Sequence, residues 1–205
     1  MKSVIFSFIF SIFHTPLFSQ NKELIKINCD SIYSEKGYSV SLEFDAKDES
    51  WDESKANAVF SFSRHQNGKT KIIHQEKLFS QFKNIKFIDF NGDGVKDILV
   101  ENTSDVRSNL TYHLFIVDFK NQKLRKIEGF EAIKNPNYLP KYHLIDCFVL
   151  SGRNWTSFYK IEGNKVKDFG YIVEDGEDDN GNDLEYDKNY QLTLSKILKS
   201  EKAKK

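Results

Sequence analysis

The chain has 205 residues, and its 30 Lys and Arg side chains balance its 30 Asp and Glu side chains. A formal net charge of zero argues against the basic character of a nucleic-acid-binding protein. The 39% hydrophobic and 14% aromatic residues supply enough apolar surface for a folded core, which excludes a wholly disordered chain.

Residues 1–19 have the parts of a secretory signal peptide. Lys2 supplies a positive N-terminal region, residues 4–13 are almost wholly apolar, and Pro16 and Ser19 precede the expected cleavage. The apolar stretch is too short for a spanning helix, which needs roughly 20 residues. No second such stretch follows. We therefore expect an exported protein, periplasmic or secreted, without a transmembrane segment.

The sequence after the signal peptide predicts strands and tight turns. Apolar side chains alternate with polar ones at Tyr38, Val40, Leu42 and Phe44, which is the period of a half-buried strand. Residues 45–57 predict at most one short helical turn around Trp51. Asn67-Gly68 separates two further apolar runs and predicts a hairpin, because both turn residues must tolerate positive φ.

Residues 87–100, which read FIDFNGDGVKDILV, predict a calcium loop. Oxygen ligands fall at positions 1, 3, 5, 7 and 9 of the loop, the seventh being a backbone carbonyl: Asp89, Asn91, Asp93, Val95 and Asp97. Gly94 at position 6 allows the sharp turn. Position 12 is Val100 in place of the EF-hand glutamate, so we expect a modest affinity, roughly 10⁻⁴–10⁻³ M. The alternative is a metal-free double turn.

The rest of the chain continues the pattern of strands and turns. Strands are predicted at regular spacing over residues 110–119, 124–130, 142–150, 155–161 and 166–173. Pro136 and Pro140 predict a loop, because proline cannot donate to a sheet ladder. The pattern predicts an all-β protein, a propeller, sandwich or barrel, with one β-rich domain over residues 20–198.

The C-terminal region is the least clear part of the sequence. The acidic stretch 174–187 predicts a solvated loop, with a second weak cation site or an acidic lip for a basic partner as alternatives. Residues 192–205 predict a strand that ends in a basic tail over residues 199–205. Cys29 and Cys147 could pair in an oxidising compartment or remain separate thiols.

Motifs for catalysis are absent from the sequence. It contains neither a Gly-x-Ser-x-Gly nucleophile elbow nor a His-x-x-x-His zinc spacing. Acidic pairs for glycoside hydrolysis are assembled in space and leave no local signature. We therefore expect a protein that is not an enzyme, with a cation-dependent hydrolase as the alternative.

The chain resembles known families at two levels. Residues 87–100 resemble the calcium loop of FG-GAP and VCBS repeats, although those occur in tandem and this chain has one copy. Residues 78–172 resemble a bacterial family of exported proteins related to periplasmic I-type lysozyme inhibitors and to immunity proteins against type IV secretion effectors. The likeness runs through the loop, residues 109–117, Leu124, and residues 133–136 and 158–165. It implies a small, irregular β-propeller-like arrangement of short antiparallel hairpins.

The resemblance also implies a function. Lysozyme inhibitors of several kinds insert a Ser-Gly-x-x-Tyr loop into the lysozyme cleft. The similar segment of this chain is Ser151-Gly152-Arg153-Asn154-Trp155, with Trp in place of Tyr. Ser151, Arg153 and Trp155 are therefore candidates to contact a lysozyme-like hydrolase. In the alternative interpretation the Trp packs on the core of a simple hairpin. A second functional hypothesis is a carbohydrate or cell-wall binding module with exposed Trp51 or Trp155 in a groove.

Overall fold

The structure is a computed structural model that describes residues 22–45, 52–177, 181–182 and 184–203. The predicted signal peptide lies outside the described residues, as do Trp51, part of the acidic stretch and the last two residues of the basic tail. The helical turn expected around Trp51 stays a prediction for the same reason. Beside it, the amide of Lys55 donates to the carbonyl of Asp52 over 2.9 Å in a simple turn.

Three four-stranded antiparallel sheets follow one another along the chain, each with its strands in sequence order. The first sheet contains β1 (Lys22–Asn28), β2 (Tyr38–Asp45), β3 (Ala58–Gln66) and β4 (Lys69–Leu78). The second contains β5 (Ile85–Ile88), β6 (Asp97–Ser104), β7 (Leu110–Asp118) and β8 (Lys123–Lys126). The third contains β9 (Pro136–Leu139), β10 (Leu144–Val149), β11 (Asn154–Glu162) and β12 (Lys165–Asp175). A four-stranded antiparallel meander is the unit of a propeller blade, so the predicted all-β, propeller-like arrangement of hairpins is confirmed.

The second sheet lies between the other two and is buried on both faces. Ile98 and Phe115 pack into a first core with the apolar face of the first sheet, where Phe115 stacks on Phe60 with ring centroids 4.4 Å apart. Leu99 and Leu114 point to the opposite face and join a second core with the third sheet. Side chains alternate between the two faces of a strand, so one sheet contributes to both cores.

A C-terminal helix covers the outer face of the third sheet. The helix α1 (Tyr186–Lys202) buries Leu194 and Ile197 against Phe158 of β11 in a third, smaller core. The hydroxyl of Tyr190 donates to Asp146 Oδ2 on β10 over 2.6 Å. At the end of the helix, Glu201 accepts hydrogen bonds of 2.5 Å from two lysines of the sheet, Lys160 and Lys167. These bonds lower the pKa of Glu201 to about 2.

The structure corrects two of the predicted elements. The strand predicted over residues 192–205 is wrong, because residues 192–202 belong to α1, whose apolar positions recur at helical spacing. The loop predicted around Pro136 is also wrong, because Pro136 begins β9. That strand pairs only with β10 and forms the edge of the third sheet. Proline is tolerated at the start of an edge strand, where no donor is needed.

Candidate functional site

The predicted calcium loop is the connection between two paired strands. Its first residue, Asp89, follows β5, its ninth, Asp97, begins β6, and Ile88 pairs with Asp97 in the antiparallel register. Gly92 and Gly94 have φ of 75° and 85°, a region that L side chains avoid. The two glycines therefore allow a double turn inside the hairpin.

Side-chain oxygens of the loop are held by its own backbone amides. Asp89 Oδ1 accepts hydrogen bonds from the amides of Asn91 and Gly92 at 3.2 and 2.7 Å, and its Oδ2 accepts from Gly94 at 2.9 Å. The side chains of Asn91 and Asp93 each accept from the amide two residues further on, at 2.9 and 2.8 Å. The loop is therefore a series of side-chain-to-backbone turns that fixes these oxygens in place.

Asp97 joins the loop to the centre of the molecule. Its side chain is fully buried, its Oδ2 accepts from the amide of Phe90 at 2.9 Å, and its Oδ1 accepts from the amide of Val117 on β7 at 3.1 Å. The pKa of Asp97 is raised to about 7, chiefly by burial and further by the charges of Asp93 and Asp89, against the opposing effect of the two amides.

The chemistry of the loop suits a hard divalent cation. Three carboxylates, one amide oxygen and the carbonyl of Val95 are the oxygen donors that calcium prefers. Burial, and to a smaller extent the charges of Asp93 and Asp89, raise the pKa of Asp97, and a bound cation would stabilise its ionised form. Among the residues that the structure describes, however, no three acidic, His or Cys side chains converge as metal ligands. The calcium site therefore stays a prediction.

Of the predicted partner-binding residues, Ser151 and Arg153 lie on the turn between β10 and β11, and Trp155 lies in β11. Arg153 is exposed, and its guanidinium lies 3.4 Å from Glu174. The hydroxyl of Ser151 donates to the carbonyl of Arg153. Trp155 is half-buried and packs against the second core, which agrees with the alternative interpretation of this residue. Of the three candidates, Arg153 presents the most accessible side chain.

This turn has a neighbour that sequence reasoning missed. Asn109 is buried, its Nδ2 donates to the carbonyl of Leu150 and its Oδ1 accepts from the amide of Leu150, both at 2.8 Å. The same Nδ2 donates to Asp105, which also receives a 2.8 Å bond from Lys134. The bond from Lys134 lowers the pKa of Asp105 well below its usual range. Hydrogen bonds between turns that are distant in the sequence leave no local sequence signal.

The remaining candidates are separate from the loop. Cys29 and Cys147 are free, buried thiols in the first and second cores, so they do not pair. Burial raises the pKa of Cys29 to about 11 and also raises the pKa of Cys147.

Residues 178–180 and 183 of the acidic stretch lie outside the described part of the chain. In that described part, no helix has both the length and the apolar character needed to cross a membrane.

Comparison with known proteins gives a distant structural likeness and no family. No family model matches the chain, and no curated protein matches it. Among solved structures, a protein described as a Xanthomonas type IV secretion system related protein is similar at 15% sequence identity and a TM-score of 0.42. The superposition covers 78% of this chain and 90% of that chain.

Proposed function

We propose that this chain is an exported, calcium-stabilised β-protein that is not an enzyme and that binds a lysozyme-like cell-wall hydrolase, blocking its cleft. Calcium binding is supported by the buried carboxylate of Asp97, which lies near the negative charges of Asp89 and Asp93. The hydrolase part is supported by the resemblance of residues 78–172 and by the exposed Arg153 turn.

Calcium would stabilise the fold through the hairpin that joins β5 to β6. Like charges close together repel, and a divalent cation converts that repulsion into attraction. Asp97 also accepts a hydrogen bond from Val117 on β7, so an ion at the loop would tie two hairpins of the second sheet together. A ligand that binds only the folded state stabilises that state by mass action.

The first test measures melting in calcium and in chelator. At a calcium concentration ten times Kd we expect about 1.4 kcal/mol of stabilisation, which for a chain of this size raises Tm by roughly 3–6 °C. Asp93→Ala should lower Tm in calcium and remove the calcium dependence. Asp118→Ala is the matched control, since Asp118 caps the different turn between β7 and β8 through the amide of Asn121.

Calorimetric titration gives the second readout of the same proposal. The parent protein and Asp118→Ala should each bind about one calcium ion, with Kd on the order of 10⁻⁴–10⁻³ M. Equal melting curves in calcium and in chelator for the parent protein, together with no heat of binding, would contradict a calcium-stabilised fold.

The proposed contact with the hydrolase centres on Arg153. Arginine is enriched among residues that dominate binding energy, and lysozyme clefts carry catalytic carboxylates with which a guanidinium pairs. One of its present contacts is with Glu174, an exposed carboxylate at 3.4 Å, and an exposed pair of this kind contributes roughly 1 kcal/mol or less. Replacing this contact by one with a carboxylate of the partner therefore costs little free energy.

The partner is tested by titrating the purified protein against lysozymes of the several known classes. We expect inhibition of at least one class, weakened about tenfold or more by Arg153→Ala, since charged hydrogen bonds contribute about 1.5–3 kcal/mol. Arg125→Gln, an exposed arginine on β8, is the control and should inhibit like the parent. If no lysozyme class is inhibited, with or without calcium, this partner is wrong, whatever the calcium result.

A further inference from the structure

A cleft of about 540 Å³ opens between the second and third sheets, beside the Asp89–Asp97 loop. Its lining comes from both sheets and from three turns: Phe90, Asn91, Arg125, Tyr138, His143, Ile145, Lys160, Ile161, Gly163 and Asn164. A volume of this size is typical of sites for small ligands. The cleft is separate from the Arg153 turn and contains none of the residues proposed to contact a hydrolase.

The charged side chains that line the cleft favour an anion, and the carboxylates of the adjoining Asp89–Asp97 loop, whose charges raise the pKa of Tyr138 after burial, are the opposing charges. None of its ten lining residues is acidic, and two of them, Arg125 and Lys160, are cationic. Lys160 and Lys167 share two carboxylates, with Lys160 Nζ 2.5 Å from Glu201 Oε2 and 3.8 Å from Glu162 Oε1, so the charge of Lys160 is balanced within this group. Arg125 donates to the backbone carbonyl of Gly163. Because this partner is neutral, it does not compensate the positive charge of the guanidinium. An arginine in this position binds a carboxylate through two parallel hydrogen bonds.

The other groups of the cleft indicate the body of the ligand. Tyr138 and His143 share a hydrogen bond of 2.9 Å between the hydroxyl and Nδ1, and two amide side chains, Asn91 and Asn164, lie on other parts of the wall. The buried side chain of Ile145 is among the apolar groups of the lining. Polar groups that approach from several elements around an apolar floor suit a compact body with many hydroxyl groups.

We propose that this cleft is a binding site for a sugar acid, a saccharide that carries a carboxylate, with Arg125 as the carboxylate-binding residue. A neutral sugar would leave the guanidinium without an ionic partner. The Tyr138 hydroxyl is bonded to His143 and Asn164 Nδ2 to Glu128, which leaves the second bonding site of the hydroxyl and the amide oxygen of Asn164 for a ligand. The hydroxyl groups of a sugar can use both sites, whereas the ring of an aromatic carboxylate can use neither.

The site adjoins the calcium loop directly. A Cβ atom added to Gly92 would lie 2.8 Å from the Tyr138 hydroxyl and 3.1 Å from the His143 ring. The loop therefore packs on the rim of the cleft without a gap, and Asn91 belongs to both. A sugar acid bound there would contact the loop through Asn91.

The test is a titration of the purified protein with D-glucuronate, D-glucose and benzoate, followed by amide chemical shifts and by calorimetry. Glucuronate and glucose differ in the carboxylate alone. We expect saturable glucuronate binding, with shifts at Asn91, Ile145, Ile161 and Gly163, and at least tenfold weaker binding of glucose and of benzoate. Arg125→Gln should weaken glucuronate binding at least tenfold, whereas Arg153→Ala should leave it unchanged.

Several results would overturn the proposal. Glucose binding as strong as glucuronate binding would exclude selection by charge, and benzoate binding as strong would exclude a sugar body. No saturable shift at about 50 mM glucuronate, or an unchanged affinity in Arg125→Gln, would exclude the site. Tyr138→Phe is a second variant that removes one hydroxyl, and it should weaken glucuronate binding while its melting temperature shows that it folds. None of these results depends on the outcome of the lysozyme titration.

Discussion

His113 on β7 is a buried histidine whose two ring nitrogens have different surroundings. Its side chain is 8% exposed, and Nε2 lies 3.0 Å from the carbonyl of Phe79. A carbonyl only accepts, so Nε2 carries the proton, and Nδ1 has no hydrogen-bond partner among the described residues. Protonation would place a second N–H at Nδ1 with no acceptor. Burial and the nearby charge of Lys126 lower the pKa of His113, against smaller opposing effects of Phe79, Glu131 and Glu76.

This lowered pKa predicts a loss of stability on acidification. A histidine in the unfolded chain has a pKa of about 6.5, so below that pH the unfolded state binds a proton that the folded state does not. The free energy of unfolding should therefore fall as the pH drops below about 6.5, by up to about 1.4 kcal/mol per pH unit, until the folded-state pKa is reached. Above about pH 7 this group contributes no pH dependence.

Urea denaturation between pH 5 and pH 8 checks the prediction. His113→Gln keeps an N–H that can reach the Phe79 carbonyl and removes the titration, so its unfolding free energy should fall less on acidification. His65→Gln is the control, because His65 is exposed near the tip of the β3–β4 hairpin, and it should follow the parent curve. An identical pH dependence for the parent and His113→Gln would refute the assignment.

At the scale of the elements, local rules predicted most of the sheet structure. The alternation from Tyr38 to Phe44 is β2, and Asn67 and Gly68 form the turn between β3 and β4 with φ of 53° and 73°. These signals are reliable because each strand buries one face and each turn needs residues that tolerate positive φ. The long, buried β7 was also predicted, since an apolar run of that length is typical of a strand covered on both faces.

The helix escaped prediction because its start lacks the usual sequence signal. Glu185 precedes α1 with φ of 48° and makes no side-chain capping bond, so no Ser, Thr, Asp or Asn marks the N-terminus. Tyr186, Tyr190, Leu194 and Ile197 recur at intervals of four, four and three residues, which is a helical period. Counting this period, instead of reading the final residues as a charged tail, would have identified the helix.

Only part of the candidate site could be predicted, because some of its contacts join segments that are distant in the sequence. The loop from Asp89 to Asp97 is local, so spacing alone placed its donors at one hairpin turn. The bond from Val117 to Asp97 depends on the pairing of β6 with β7 and could not be predicted from the loop sequence. The cleft needs Arg125 and Tyr138 from different sheets, and such convergence is visible only in the folded chain.

At the scale of the whole molecule, the central sheet makes the three layers depend on one another. Neighbouring residues of β7 point in opposite directions, so Phe115 belongs to the first core and Leu114 to the second. Both side chains are fully buried. Loss of either core would expose one face of the same strands, and a sheet exposed in this way has lost much of the burial that stabilises it. The two cores should therefore unfold together.

We predict that Phe115→Ala and Leu114→Ala each lower the free energy of unfolding by about 3 kcal/mol, within a single cooperative transition. The measurement is urea denaturation followed in parallel by far-UV circular dichroism and by tryptophan fluorescence, to which Trp155 at the second core contributes. Val106→Ala, a fully exposed residue of the β6–β7 turn, should change stability by no more than about 0.5 kcal/mol. If Phe115→Ala separates the two signals, so that fluorescence near Trp155 persists after part of the sheet structure has melted, then the layers are independent and the central sheet does not couple them.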